Sequence, residues 1–179
     1  LVTIKVSAIE KVILFGDSLM AGYGLPKEQH LSVVLQNSLE LEGHKIEIVN
    51  GSVSGSTSAG GLNIAEWTLS ENNIDFMILC LGANDMLRGI NPKETKNNLE
   101  EIIKIAKNKN IKVIIAGMIA PTSYGFEYKK SFDKIFSDLS KKHKLQLIPF
   151  LLEGVAQKPE FNLSDGMHPN DQGTIIISN

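Results

Sequence analysis

Only one cysteine, Cys80, occurs in the 179 residues. An intramolecular disulfide and a cysteine-based zinc site are therefore excluded. Cys80 lies inside the apolar run Phe76-Met77-Ile78-Leu79-Cys80-Leu81, where a buried, inert thiol is expected rather than a reactive one. Charge of either sign is not in excess: 18 basic residues face 20 acidic ones, a net charge of −2. No basic surplus invites nucleic acid, and no acidic block forms a tail. No apolar stretch is long enough to span a bilayer. Aromatic residues make up only 6%, too few for an obvious stacking platform for sugar rings. Internal repeats, low-complexity tracts and dividing linkers are missing, so one domain over residues 1–179 is expected. The chain begins at Leu1 and shows no signal peptide. A removed leader would place it in the periplasm or outside the cell, and otherwise it would be cytoplasmic. The sequence leaves the oligomeric state open.

What the sequence does contain is alternation. Short apolar runs recur at Val12–Phe15, Ile46–Val49, Phe76–Leu81, Val113–Ala116 and Leu145–Ile148. Each has strand length and little polar alternation, the pattern of strands buried on both faces of a parallel sheet. Helical stripes lie between them. Leu31, Val34, Leu35 and Leu39 form one, with Gly43 placed to end it. Leu99, Ile102, Ile103 and Ala106 form a second, started by Asn91, Pro92 and Glu94, with Glu100 and Lys104 expected to pair on its outer face. Phe132, Ile135, Phe136 and Leu139 form a third. Ser58–Leu69 is a weaker helix, since Gly60 and Gly61 lower its propensity. Strands alternating with helices predict an α/β fold with a parallel sheet and helices on both faces. Five strands permit the flavodoxin-like order 2-1-3-4-5, and ligands of such sheets bind beyond the carboxyl ends of the strands.

Four polar clusters follow strand ends: Gly16-Asp17-Ser18-Leu19, Ser54-Gly55-Ser56-Thr57, Gly82-Ala83-Asn84-Asp85 and Asp165-Gly166-Met167-His168-Pro169. Each alone fits an ordinary helix cap or polar turn. Together they converge on one rim. A serine hydroxyl is a poor nucleophile unless a base takes its proton, and His168 can serve Ser18 as that base. Asp165, three residues earlier in a glycine-containing turn, can curl onto Nδ1 and turn Nε2 toward the serine. His30, His44 and His143 flank helices and need no such role. Acyl transfer also needs donors for an oxyanion. The N–H groups of Ser18 and Gly55 and the side-chain amide of Asn84 supply three.

These ordered blocks resemble the SGNH, or GDSL, hydrolase superfamily over nearly the whole chain. Ser18 stands in Phe-Gly-Asp-Ser-Leu, Gly55 in Val-Ser-Gly-Ser-Thr, Asn84 in Leu-Gly-Ala-Asn-Asp and His168 in Asp-Gly-Met-His-Pro. Within it the chain is similar to the bacterial arylesterase and thioesterase I/lysophospholipase branch, through residues 16–25, 57–62, 87–90 and 120–125. The resemblance implies a three-layer α/β/α fold, no metal, no cofactor, and hydrolysis of esters or thioesters through an acyl-enzyme on Ser18. Small or medium acyl chains and aryl esters are the expected substrates. Met20, Leu87, Ile90, Ile119 and Tyr124 lie in or beside rim loops and are candidates for an apolar groove. One departure stands out: many relatives carry Asp where Ser56 stands here. Two alternatives stay open, a carbohydrate O-acetyl esterase of the same superfamily and a non-catalytic flavodoxin-like module that cradles a phosphate.

Overall fold

Five short strands line up in parallel, and their order brings the polar clusters to one rim. The computed structural model describes residues 9–70 and 73–179. The strands are β1 (Glu10–Gly16), β2 (Ile46–Asn50), β3 (Phe76–Cys80), β4 (Lys112–Ala116) and β5 (Gln146–Ile148). All neighbours pair in parallel, in the order β2-β1-β3-β4-β5. This is the order that the sequence permitted. The three central strands carry almost no exposed side chains at Leu14, Phe15, Met77, Leu79 and Ile115. The two edge strands differ from the expectation of burial on both faces. β2 and β5 have no fully buried residue, because each ends the sheet and has one neighbour instead of two.

Among the described residues, seven α-helices flank the sheet: α1 (Ser18–Ala21), α2 (Leu31–Leu41), α3 (Ser58–Thr68), α4 (Ala83–Leu87), α5 (Pro92–Asn108), α6 (Phe126–His143) and α7 (Asp171–Ser178). α3, α5 and α6 pack in series, and α2 packs on α7, so the sheet is the middle of three layers. The predicted helix signals act as expected. Asn91 accepts the Lys93 N–H at 2.9 Å to start α5, and Gly43 at φ +86° turns the chain away after α2. The stripe of Leu99, Ile102, Ile103 and Ala106 is fully buried. α3 forms despite its glycines. Thr57 caps it through the Gly60 N–H, and a Cβ at Gly61 would stand 2.4 Å from the Leu81 side chain. Close packing on the sheet thus outweighs propensity there.

The expected Glu100–Lys104 pair does not form. Lys104 bonds Glu101 at 2.7 Å, while Glu100 meets Lys142 at 2.6 Å and His143 at 2.9 Å. The reason is tertiary: α5 packs against α6, whose basic last turn reaches Glu100 first. The Lys142 bond, with help from His143, holds the Glu100 carboxyl below its ordinary range. α7 is built from Thr174-Ile175-Ile176-Ile177, poor helix formers by intrinsic preference. Packing supplies what propensity lacks. Asn170 caps it through the Gly173 N–H at 3.0 Å, Thr174 is buried, and Ile177 packs on the core. Gly173 permits the contact: a Cβ there would lie 2.2 Å from the Phe161 carbonyl oxygen. Gly173→Ala is expected to destabilise the fold by about 1–3 kcal/mol, read as a fall of several degrees in Tm. An unchanged Tm would contradict the close packing of α7.

Candidate active site

Ser18 sits where β1 stops. Gly16 closes the strand, and a Cβ there would meet the Cys80 carbonyl oxygen at 2.6 Å. Asp17 then caps α1, its Oδ1 accepting the Leu19 N–H at 3.1 Å. Gly22, at φ +81°, ends the helix after one turn and donates to the Ser18 carbonyl. A rigid strand on one side and a left-handed turn on the other therefore fix Ser18. As the first residue of α1, it has an N–H with no acceptor inside the helix.

His168 arrives from the turn between residues 162 and 170. An isolated bridge joins Asn162 to Pro169, and the Leu163 N–H donates to the His168 carbonyl at 2.7 Å. Inside this turn one carboxylate oxygen of Asp165 accepts the N–H groups of Met167 and His168 at 2.9 and 3.0 Å. The other lies 2.7 Å from His168 Nδ1. On the far side of the ring, Nε2 lies 2.9 Å from Ser18 Oγ. An ionised carboxylate only accepts, so the proton belongs on Nδ1 and Nε2 is left to accept from the serine hydroxyl. The His168 N–H first, then the Met167 N–H and the imidazole, lower the Asp165 carboxyl to about 2. The Tyr23 ring covers His168, with centroids 4.5 Å apart.

Gly55 and Asn84 reach the same place from two other loops. Gly55 adopts φ +78°, and its N–H has no acceptor among the described residues. Asn84 lies in α4 and donates one amide hydrogen to Asp17 Oδ2 at 3.3 Å, and the second has no acceptor among the described residues. Both loops are tied together below the surface. The buried Asp85 accepts the Ser58 N–H at 2.7 Å, the Ser58 hydroxyl and the Thr95 hydroxyl at 3.1 Å. Asn98 completes this network on Ser58 Oγ at 3.0 Å.

A cavity of about 1040 Å³ opens beside Ser18 and His168. Of the candidates for an apolar groove, Leu87 and Ile119 line it, whereas Met20, Ile90 and Tyr124 do not. Met20 is buried beneath the end of β1, against Gly16. Ile90 meets Tyr128, whose hydroxyl donates to its carbonyl at 2.9 Å. Tyr124 lies tilted against the Tyr128 ring, with centroids 5.5 Å apart. The apolar walls come instead from Met86, Met118, Pro121, Phe150, Leu152 and Met167. Periodicity had no means of finding these, since most sit in loops. Met118, in the segment after β4, was legible only as a residue near a strand end.

The GDSL-like Lipase/Acylhydrolase family profile matches residues 14–174. The chain belongs to this family. It is 37% identical to an arylesterase of Vibrio mimicus over 92% of this chain and 82% of that one. It is 32% identical to the thioesterase 1/protease 1/lysophospholipase L1 of Escherichia coli K12, over 99% and 84% of the two chains. The crystal structure of TesA superposes with a TM-score of 0.89 at 33% identity, covering 94% of each chain.

Asp17 carries a separate consequence. Its carboxyl is fully buried, and burial pushes it up to about 6, although the Leu19 N–H and the Asn84 amide pull the other way. A carboxyl raised above its unfolded value favours the protonated form, so its contribution to stability falls as pH rises from about 4 to about 6. Asp17→Asn should therefore raise stability near pH 7.5 by about 1–3 kcal/mol and gain little near pH 4. Thermal melts at both values check this. Equal effects at the two pH values would contradict a strained buried carboxylate.

Proposed function

We propose that the chain is a serine esterase in which Ser18 forms an acyl-enzyme, with His168 as base and Asp165 as its orienting partner. The hydrogen-bonded run from Ser18 Oγ through His168 to Asp165 carries this reading. The Ser18 oxygen attacks the acyl carbonyl carbon as its proton passes to Nε2. The carbonyl π electrons move onto oxygen, which the N–H groups of Ser18 and Gly55 and the Asn84 amide hold. Asp165 stabilises the imidazolium without taking its proton. Collapse of the intermediate breaks the bond to the leaving alcohol or thiol, which takes the proton from Nε2. Water then repeats the sequence on the acyl-enzyme and releases the acid.

The substrates that suit this site are small or medium acyl and aryl esters, and thioesters belong to the same reaction class. The volume and apolar walls of the cavity support an acyl group lying away from the catalytic dyad. A phosphate-cradling module would leave the Ser18–His168–Asp165 run without a use. A carbohydrate O-acetyl esterase would leave most of the apolar cavity unfilled.

Ser18→Ala should lower kcat on nitrophenyl butyrate by about four to six orders of magnitude with the fold intact. Near-normal turnover in that variant would overturn the assignment. Across a nitrophenyl ester series, kcat/KM should peak between butyrate and octanoate, and a steady rise to palmitate would contradict the acyl preference. A base that must be unprotonated to take the Ser18 proton also predicts a rate that falls toward acid pH. Asp165 stays ionised down to about 2, so it does not produce that fall. Asp17, at about 6, does titrate there, and the fall should persist in Asp17→Asn. A flat profile to about pH 3 would exclude a neutral histidine base.

A further inference from the structure

The loop that carries the Gly55 N–H is held unevenly. Its first half is pinned to β1: the Gly51 N–H donates to the Leu14 carbonyl at 2.9 Å, the Ser52 hydroxyl to the same oxygen at 3.0 Å, and the Val53 N–H to the Gly16 carbonyl at 3.0 Å. Its far end is pinned at Ser58 by the buried Asp85. Between these anchors, the Ser56 N–H closes a turn onto the Val53 carbonyl at 3.0 Å. Gly55 faces open space, since nothing stands within 4 Å of where its Cβ would be. The Ser56 N–H and the Gly55 carbonyl share one peptide, whereas the Gly55 N–H lies in the peptide before it; with glycine's wide conformational range, the direction of that N–H depends on how firmly residue 55 itself is held.

One group from outside the loop holds it. Arg88 Nη2 donates to the Gly55 carbonyl at 3.0 Å. Arg88 follows directly on α4, and its own N–H donates to the Asn84 carbonyl at 3.1 Å. It therefore stands one helical turn from Asn84 and joins the two loops that supply two of the three oxyanion donors. Among the described residues, no carboxylate forms an ion pair with it. We infer that Arg88 is a positioning residue: it holds the carbonyl side of Gly55 and so limits the rotation about the glycine Cα that aims the Gly55 N–H, carried by the preceding peptide, at the oxyanion beside Asn84. The guanidinium is exposed, so its charge is screened by solvent, and its effect comes through geometry. This inference rests on the esterase reading above.

Such a residue has a particular kinetic signature. Misplacing an oxyanion donor weakens the tetrahedral state and leaves ground-state binding intact. Arg88→Met, which keeps most of the aliphatic stem, should lower kcat on nitrophenyl butyrate about 10-fold, less than the 10²–10³-fold typical of losing a donor outright. KM should stay within about twofold, since the two states differ only at the oxyanion. A trifluoromethyl ketone should bind more weakly by the same factor as the loss in kcat, because Ser18 adds to its carbonyl and leaves an oxyanion in that hole. Tm should not change. Wild-type kcat in Arg88→Met, a loss confined to KM, undiminished binding of the ketone, or a loss in kcat that tracks a fall in Tm would each overturn the inference. Ser18→Ala is the control: an active Ser18→Ala defeats the esterase reading itself. An inactive Ser18→Ala beside a fully active Arg88→Met defeats only the role given to Arg88.

Discussion

A 2.9 Å hydrogen bond joins Ser18 Oγ to His168 Nε2 across 150 residues of chain. Neither residue has any local reason to meet the other. The parallel sheet provides one, because every strand delivers its following loop to the same edge. Its register makes the delivery accurate: Gly16 pairs with Cys80, so the loops after β1 and β3 leave the sheet side by side. The order β2-β1-β3-β4-β5 puts β1 and β3 at the centre, and Ser18 and Asn84 follow them. His168 comes last, on a turn with its own bridge and its own internal hydrogen bonds. It is held in place by α7 through the close approach at Gly173.

Two aspartates within this small region show how environment divides one functional group into two states. Asp165 accepts backbone N–H groups at an exposed turn and is held at about 2. Asp17, a residue away from the serine, is sealed from water and pushed up to about 6. The first is suited to stay charged beside an imidazolium. The second caps α1 and orients Asn84 through its amide, and it does so at a cost in stability. Hydrogen-bond donors act on one, and desolvation acts on the other.

Much of this was legible in the sequence. The strands could be read because β1, β3 and β4 are buried and nearly free of polar residues, and α5 because Asn91 and Pro92 announce its start. The nearness of Ser18, Gly55 and Asn84 could be read because strand ends of a parallel sheet share a rim, whereas the turn of Asp165 and His168 comes well after β5 and reaches Ser18 by its own fold. What escaped depended on contacts between segments. Glu100 was assigned to Lys104 on its own helix, yet α6 brings Lys142 and His143 to it. Met20, Ile90 and Tyr124 lie near rim loops in the sequence, but Met20 packs into the core, Tyr124 lies against Tyr128, and Ile90 does not line the cavity. The bond from Arg88 to Gly55 leaves no local signal, since nothing in the chain around Arg88 points to a residue 33 positions earlier. The burial of Asp17 was equally invisible, as Gly-Asp-Ser reads the same whether or not water reaches it.

The central claim is that Ser18 is a nucleophile activated by His168, and covalent trapping tests it most directly. A fluorophosphonate should modify the native protein once, with the label found by peptide mass spectrometry on Ser18. His168→Ala should slow this labelling by orders of magnitude while leaving Tm near the native value. Labelling at another residue, or labelling of Ser18 at the same rate without His168, would contradict the account.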